Sequence, residues 1–250
     1  MSRINLLDSS IYNKISAGEV VERPSSVVKE LTENSIDAGA SQIIIEIISG
    51  GLRSISVSDN GIGMDGKDLS LAFMPHATSK LSKAEDLFSI STLGFRGEAL
   101  SSIASVSMLS VKSKTKEMMS GNMLEIKAGE IVSNTPCSSN TGTIIRVENL
   151  FFNTPARLSF MRRPKYEENE IKSIVSNLIL ANPSISFELI ADGKKVLHSS
   201  GQGLESAIEG VYDREICENL IPLNYIKGNY KVKGFIGKRN SAKATGHIRV

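Results

Sequence analysis

The stretch from Val27 to Ala40, VVKELTENSIDAGA, constrains the fold more than any other part of the chain. Set on a helix at ~100° per residue, Glu30, Asn34 and Asp37 fall within a ~60° arc bordering an apolar side made by Val27, Leu31 and Ala38. Pro24 suits the first turn and Gly39 a C-terminal stop, while Lys29, Thr32 and Glu33 are expected to face solvent. Two carboxylates and an amide turned inward are costly without partners, so this face implies a cation or a water network. Magnesium suits such a site, because it takes hard oxygen ligands together with substrate phosphates. On that reading Asn34 touches the metal and Glu30, one turn earlier, polarises a water attacking the phosphate. The alternative is an ordinary helix with Asn34 and Asp37 hydrogen-bonded locally near its end.

After Gly39 the period changes. Gln42 to Ile48 is rich in Ile, Gly50-Gly51 makes a turn, and Arg53 to Ser58 alternates, which predicts a β-hairpin. The hairpin runs into Asp59-Asn60-Gly61-Ile62-Gly63-Met64, where glycines permit a tight turn. Before it, a helix is expected over residues 11–21; after it, a short helix over 67–73 and a long polar segment over 75–92. Gly94-Phe95-Arg96-Gly97 leads into a small-residue helix over 98–105. Strands follow near 106–113, 123–127 and 143–147, then a helix start with Thr154 as cap and Pro155 in the first turn. A helix over 166–180 and strands near 186–190 and 194–198 complete a first domain of residues 1–201, and 202–250 begin a second.

Composition excludes several classes. Hydrophobic residues at 40% and charged ones at 22% describe a globular chain, not a disordered one. No apolar run approaches the ~20 residues of a membrane helix, and the N-terminus has no secretory h-region. Cys137 and Cys217 are too isolated for a zinc site or disulfide framework, and His76 reads as structural. The formal charge of +2 is unevenly spread. Residues 219–250 hold seven Lys or Arg and no acid, so the preceding chain, with 22 basic and 27 acidic residues, carries −5. That basic tail is either a weak DNA-binding surface or a solvated sheet edge.

Single motifs leave two readings open. Gly94 to Gly97 before a helix presents backbone N–H groups to an anion, or is a plain turn. Lys80 and Arg96 either serve a polyphosphate or are solvated. Asp59 either accepts from an exocyclic amine or closes an Asx turn.

Their order is more specific. The E-x-x-x-N helix, D-x-G-x-G turn, G-F-R-G-E-A-L loop and Gly142-Thr143 resemble the ATPase fold shared by type II topoisomerases, sensor histidine kinases, the large heat-shock chaperone and MutL. The segments ISAGEVVERPSSVVKELTENSIDAGA, DNGIGM, HATSK, GFRGEALSSIASV and FFNTPARLSFM are similar to the MutL family of DNA mismatch-repair proteins, and the resemblance covers the whole chain. It implies an α+β, two-layer α/β sandwich of the Bergerat type, followed by a truncated second α/β domain. It also implies a slow magnesium-dependent ATPase, with ATP and Mg as cofactors. Glu30 would be the general base and Asn34 the metal ligand, with Asp37 and Ala38 beside the nucleotide. Asp59 would read adenine, with Gly61, Gly63, Met64 and Thr143 shaping its pocket. Thr78, Ser79 and Lys80 would sit in a lid, and Leu93, Gly94, Phe95, Arg96, Gly97, Glu98, Ala99 and Leu100 would wrap the phosphates. Implied partners are other mismatch-repair proteins, weakly and non-specifically bound DNA, and a second copy in a nucleotide-dependent homodimer, without a membrane. Localisation would be intracellular, cytoplasmic or nuclear. A lysine that family members supply from the second domain is expected to lie beyond Val250.

A chaperone-like or topoisomerase-like user of the same pocket is the alternative. A histidine kinase would have no need of Glu30 as a base for water and would carry a phospho-acceptor helix, and strand passage needs a longer chain.

Overall fold

The computed structural model describes residues 20–77, 97–212 and 214–238. The helix expected over 11–21 lies outside them except for its end, where Val20 is helical and Val21 is buried. Helix α1 spans Pro24–Asp37, with Pro24 in its first turn. Its end is closed by Ala38 N–H to Asn34 O at 2.9 Å and Gly39 N–H to Ile36 O at 2.9 Å. Strands β1 (Gln42–Ile48) and β2 (Ser54–Asp59) form the expected antiparallel hairpin, with Ile45 opposite Val57. Helix α2 (Gly66–Leu71) is capped by the Asp65 carboxylate, which accepts from the N–H groups of Lys67 and Asp68 at 2.8 Å each.

Helix α3 (Ala99–Ser105) leads into β3 (Met108–Lys114), β4 (Gly121–Lys127), β5 (Glu130–Cys137) and β6 (Gly142–Glu148). Then come α4 (Pro155–Ser159), α5 (Pro164–Ala181), β7 (Ser186–Ala191), β8 (Lys194–Ser200), α6 (Leu204–Val211), α7 (Arg214–Glu218) and the hairpin β9 (Leu220–Lys227) and β10 (Tyr230–Gly237). The first eight strands make one sheet, ordered β5-β4-β3-β6-β2-β1-β7-β8, and among the described residues β9 pairs only with β10. All pairs in the large sheet are antiparallel except β1 with β7.

One face of this sheet is covered and the other is open. Ile43, Ile45 and Ile47 are buried while Glu46 and Ile48 are exposed, and Ile145 and Val147 are buried while Ile144, Arg146 and Glu148 are exposed. This period of two is what a half-covered sheet requires. Helices α1, α3, α5 and α6 form the covering layer, with α1 against β1 and β2, α5 against β7 and β8, and α6 against β8. Arg23, at the start of α1, ties it to α5 through Glu170 at 3.4 Å and the fully buried Glu167 at 3.9 Å. The result is the two-layer α+β architecture implied by the resemblance. Among the described residues no helix is long and apolar enough to cross a membrane, and no disulfide joins Cys137 and Cys217.

Three local expectations change. Thr32 and Glu33 are buried, not solvent-facing. Helix α1 is flanked by the sheet and by α5, so its buried side runs through Val27, Leu31, Ser35, Val28, Thr32 and Ser25, an arc of ~160°; Glu33 lies outside that arc and pairs with Lys29 at 2.9 Å. Strand β5 was not expected; it is a sheet edge, largely exposed, and carries Pro136, which an edge tolerates. Thr154 occupies the cap position of α4 but makes no capping bond, its hydroxyl turning instead to Phe151 O at 3.4 Å. Helix α6 packs on β8 and α5, with Ala207 fully buried in the same core.

Candidate nucleotide site

The sequence motifs converge at one end of the central strands, under the C-terminal half of α1. Asp59 closes β2, with Thr143 of β6 opposite it on one side and Ile43 of β1 on the other. Its carboxylate points to the helix layer. Oδ1 accepts from the N–H of Gly61 at 2.9 Å and of Thr143 at 3.3 Å; Oδ2 accepts from the hydroxyl of Ser35, on α1, at 2.9 Å. Burial pushes the Asp59 carboxyl above its ordinary value, and these three hydrogen bonds pull partly the other way. The Asx contact weighed from the sequence is therefore real, but it engages only Oδ1. A carboxylate has about four acceptor positions, so Oδ2 retains capacity for a further donor.

The turn after Asp59 is pinned from two sides. Ala38 O accepts from Ile62 N–H at 3.1 Å, and Met64 N–H donates to the buried hydroxyl of Ser113 at 2.8 Å. Ser113 Oγ also donates to Gly142 O at 3.1 Å and lies 2.8 Å from Thr143 Oγ1. Gly63 has φ +71°, and a Cβ there would sit 2.1 Å from Lys114 O; Gly142 has φ +118°, with a Cβ 2.1 Å from Asp59 O. Only glycine fits either place. Asn60 faces away, its amide oxygen accepting from Ser41 and Gln42 N–H at 2.9 Å each.

On α1, Glu30, Asn34 and Asp37 are all half-buried, at the rim of the helix rather than in the core. Glu30 Oε1 lies 3.7 Å from Lys29 Nζ, which is closer to Glu33, at 2.9 Å. Burial lowers the Lys29 pKa, and Glu33 and then Glu30 more than offset this, leaving it raised. Gly97 (φ +64°), Glu98, Ala99 and Leu100 are described at the start of α3, with Leu100 packed on the core. Glu98 Oε1 is 3.3 Å from His76 Nδ1, so residues 76 and 98 are in contact. Thr78, Ser79, Lys80, Leu93, Gly94, Phe95 and Arg96 lie outside the described residues.

Sequence reading missed Ser35 and Ser113, the two hydroxyls that hold Asp59 and the turn. Ser35 is a buried serine inside the helix motif, and its position one turn after Leu31 was the available signal. A cavity of about 440 Å³ opens on the helix-free face of the same strand ends, lined by Ile44, Ser58, Lys112 and Ile144 and, where the strands end, by Asp59 and Thr143 themselves. The Asp59 carboxylate points away from it, toward Ser35, so it is not the site assembled by the motifs.

Residues 22–149 match the family model described as histidine kinase-, DNA gyrase B- and HSP90-like ATPase. The chain is 50% identical over 246 residues to the DNA mismatch repair protein MutL of Clostridium perfringens, and 48% identical over 237 residues to that of Streptococcus sanguinis. These alignments cover 98% and 94% of this chain but 36% and 37% of the relatives, so it spans little more than a third of their length. Among solved structures, the Aquifex aeolicus MutL ATPase domain complexed with ADP superposes with a TM-score of 0.65 at 30% identity, over 82% of this chain and 73% of that one. The N-terminal domain of a DNA repair protein superposes with a TM-score of 0.75, also at 30% identity, over 90% and 71%. Fold, motif order and these likenesses agree: the chain belongs to the MutL family of DNA mismatch-repair proteins and carries the ATPase-type domain of that family.

Proposed function

We propose that the chain binds ATP with magnesium between α1 and the Asp59–Met64 turn and hydrolyses it slowly, as a nucleotide-timed switch in DNA mismatch repair. The observation that carries this is the meeting of three separate sequence segments at one strand end: α1 through Ser35, the half-buried Asp59 carboxylate, and Thr143 beside it.

Asp59 Oδ2 accepts from the exocyclic amine of adenine, and the pinned turn through Gly61, Gly63 and Met64 forms the base pocket. Glu30 acts as general base, since a half-buried carboxylate on the rim suits a water better than a base edge. Among the described residues no group of three acidic, His or Cys side chains is placed to hold a metal by itself. One hard oxygen from Asn34 fits magnesium that is held mainly by phosphates and waters. Bound there, magnesium would neutralise charge on the transferring phosphate. Asp37, Ala38, Gly97, Glu98, Ala99 and Leu100 complete the nucleotide surround, with residues 78–80 and 93–96 as the lid and phosphate loop.

Lid closure on ATP, dimerisation through the N-terminal region and contact with other repair proteins belong to the same reading. So do weak DNA binding by the basic residues after 218 and a second domain begun by residues 202–250. The test is magnesium-dependent phosphate release by the wild type and by Glu30→Ala. Release that is absent in the wild type at saturating ATP, or equal in both, rejects the assignment.

A further inference from the structure

Asp59 holds its Oδ1 and Oδ2 by different means. Oδ1 is fixed by two backbone N–H groups that no substitution at those positions removes, apart from proline. Oδ2 depends on one side chain, Ser35, a residue only 4% exposed that comes from a different element. That hydroxyl has a single proton and two acceptors in reach, Asp59 Oδ2 at 2.9 Å and Leu31 O at 3.2 Å. A neutral serine in mid-helix usually spends its proton on the carbonyl one turn back; here the shorter contact goes to the carboxylate, where an ionised acceptor makes the stronger bond.

We propose that Ser35 is a specificity-determining positioning residue: its hydroxyl locks the Asp59 carboxylate so that Oδ2 meets an exocyclic amine, and so makes the site prefer adenine over guanine nucleotides. The proposal rests on the adenine assignment of Asp59 made above. Without Ser35 the carboxylate keeps its hold at Oδ1 but loses the one side-chain donor it has among the described residues. Burial then acts against the ionised form with less opposition. A carboxyl that protonates presents a donor as well as an acceptor, and a donor suits the ring carbonyl that guanine carries in place of the amine. Discrimination should therefore fall from both ends, by weaker binding of the amine and stronger binding of the carbonyl.

The experiment measures dissociation constants for ATP and GTP, with magnesium, for wild type, Ser35→Ala, Ser35→Cys and Asp59→Asn by titration calorimetry. Alanine favours the helix and removes only one oxygen, and the cysteine thiol retains a weak donor of similar size. Ser35→Ala should lower the ATP-to-GTP preference by about tenfold or more, the scale of one hydrogen bond to a charged group, with Ser35→Cys in between. A merely structural role would weaken both nucleotides together and leave the ratio unchanged, and an unchanged ratio in Ser35→Ala overturns the proposal. Wild type that fails to prefer ATP, or an Asp59→Asn variant that keeps the preference, overturns the adenine assignment and the proposal with it.

Discussion

Replacing Asp59 with Asn separates folding from recognition, because the two use different oxygens of one side chain. If the amide oxygen takes the place of Oδ1, it keeps the N–H groups of Gly61 and Thr143. The amide nitrogen then faces Ser35, whose hydroxyl can accept from it while turning its own proton to Leu31 O, 3.2 Å away. Every buried polar atom stays paired, and a buried charge is removed. Three charge-assisted bonds become neutral, a loss of roughly 1 kcal/mol each, offset by relief from burying the carboxylate. The nucleotide-free fold should thus change by no more than ~1 kcal/mol, or ~2–4 °C in melting temperature for a chain of this size. Binding behaves otherwise. The nitrogen now presents a donor to a donor, costing ~1–3 kcal/mol, so ATP affinity should fall roughly 5- to 150-fold. Paired thermal melts without nucleotide and calorimetric ATP titrations measure both quantities on one preparation. ATP affinity retained within about twofold by a well-folded variant would refute the assignment of Oδ2, and a collapse of the nucleotide-free fold would refute the pairing scheme.

Glu30→Ala should abolish hydrolysis while ATP affinity stays within about tenfold, ~1.4 kcal/mol; equal loss of binding and turnover would remove Glu30 as the base. Gly63→Ala should destabilise the turn by at least ~1–3 kcal/mol from its left-handed backbone alone, and the collision with Lys114 O adds to this; an unchanged melting temperature would count against the described turn. Because burial raises the Asp59 carboxyl above 3.8 in the folded chain, its ionisation costs stability at neutral pH. That cost disappears as pH falls through the folded value and below 3.8. The nucleotide-free stability of wild type relative to Asp59→Asn should therefore rise on acidification, while wild-type ATP affinity falls, and opposite slopes would reject the burial argument. Exposed Lys227, Lys231 and Lys233 with Lys238 follow the acidic part of the chain. If ~4 cations meet phosphates, duplex DNA binding should weaken with salt at a log–log slope near −3.6, and a version ending at Glu218 should lose it; equal binding by both clears the tail of this role.

Periodicity made much of this molecule legible. The switch at Gly39 located α1 and the β1–β2 hairpin, and Asn182-Pro183 marked the end of α5, because capping and alternation act over a few residues. Features set by distant partners were not visible. Thr32 reads as a surface residue until α5 is packed beside it, and β5 shows no buried face because nothing covers its edge. The site divided the same way: Asp59 stood out by its charge before glycines, whereas Ser35 and Ser113 are ordinary letters whose role comes from strands and helices meeting.

The single parallel pairing in the sheet bears on how the chain is made. Gln42 of β1 lies opposite Ser186 of β7, 144 residues later. At roughly 5–20 residues per second on the ribosome, that flank of β1 waits ~7–29 s for its partner. During that time Ile43, Ile45 and Ile47 lie on a strand with one unpaired edge, a template for wrong pairing. Every motif of the nucleotide site has been synthesised by residue 143, yet the strand that carries the hairpin beneath it is not enclosed until β7 docks. A nascent chain arrested before Ser186 should thus be prone to aggregation, and the site becomes competent only when a pairing between strands 144 residues apart has closed.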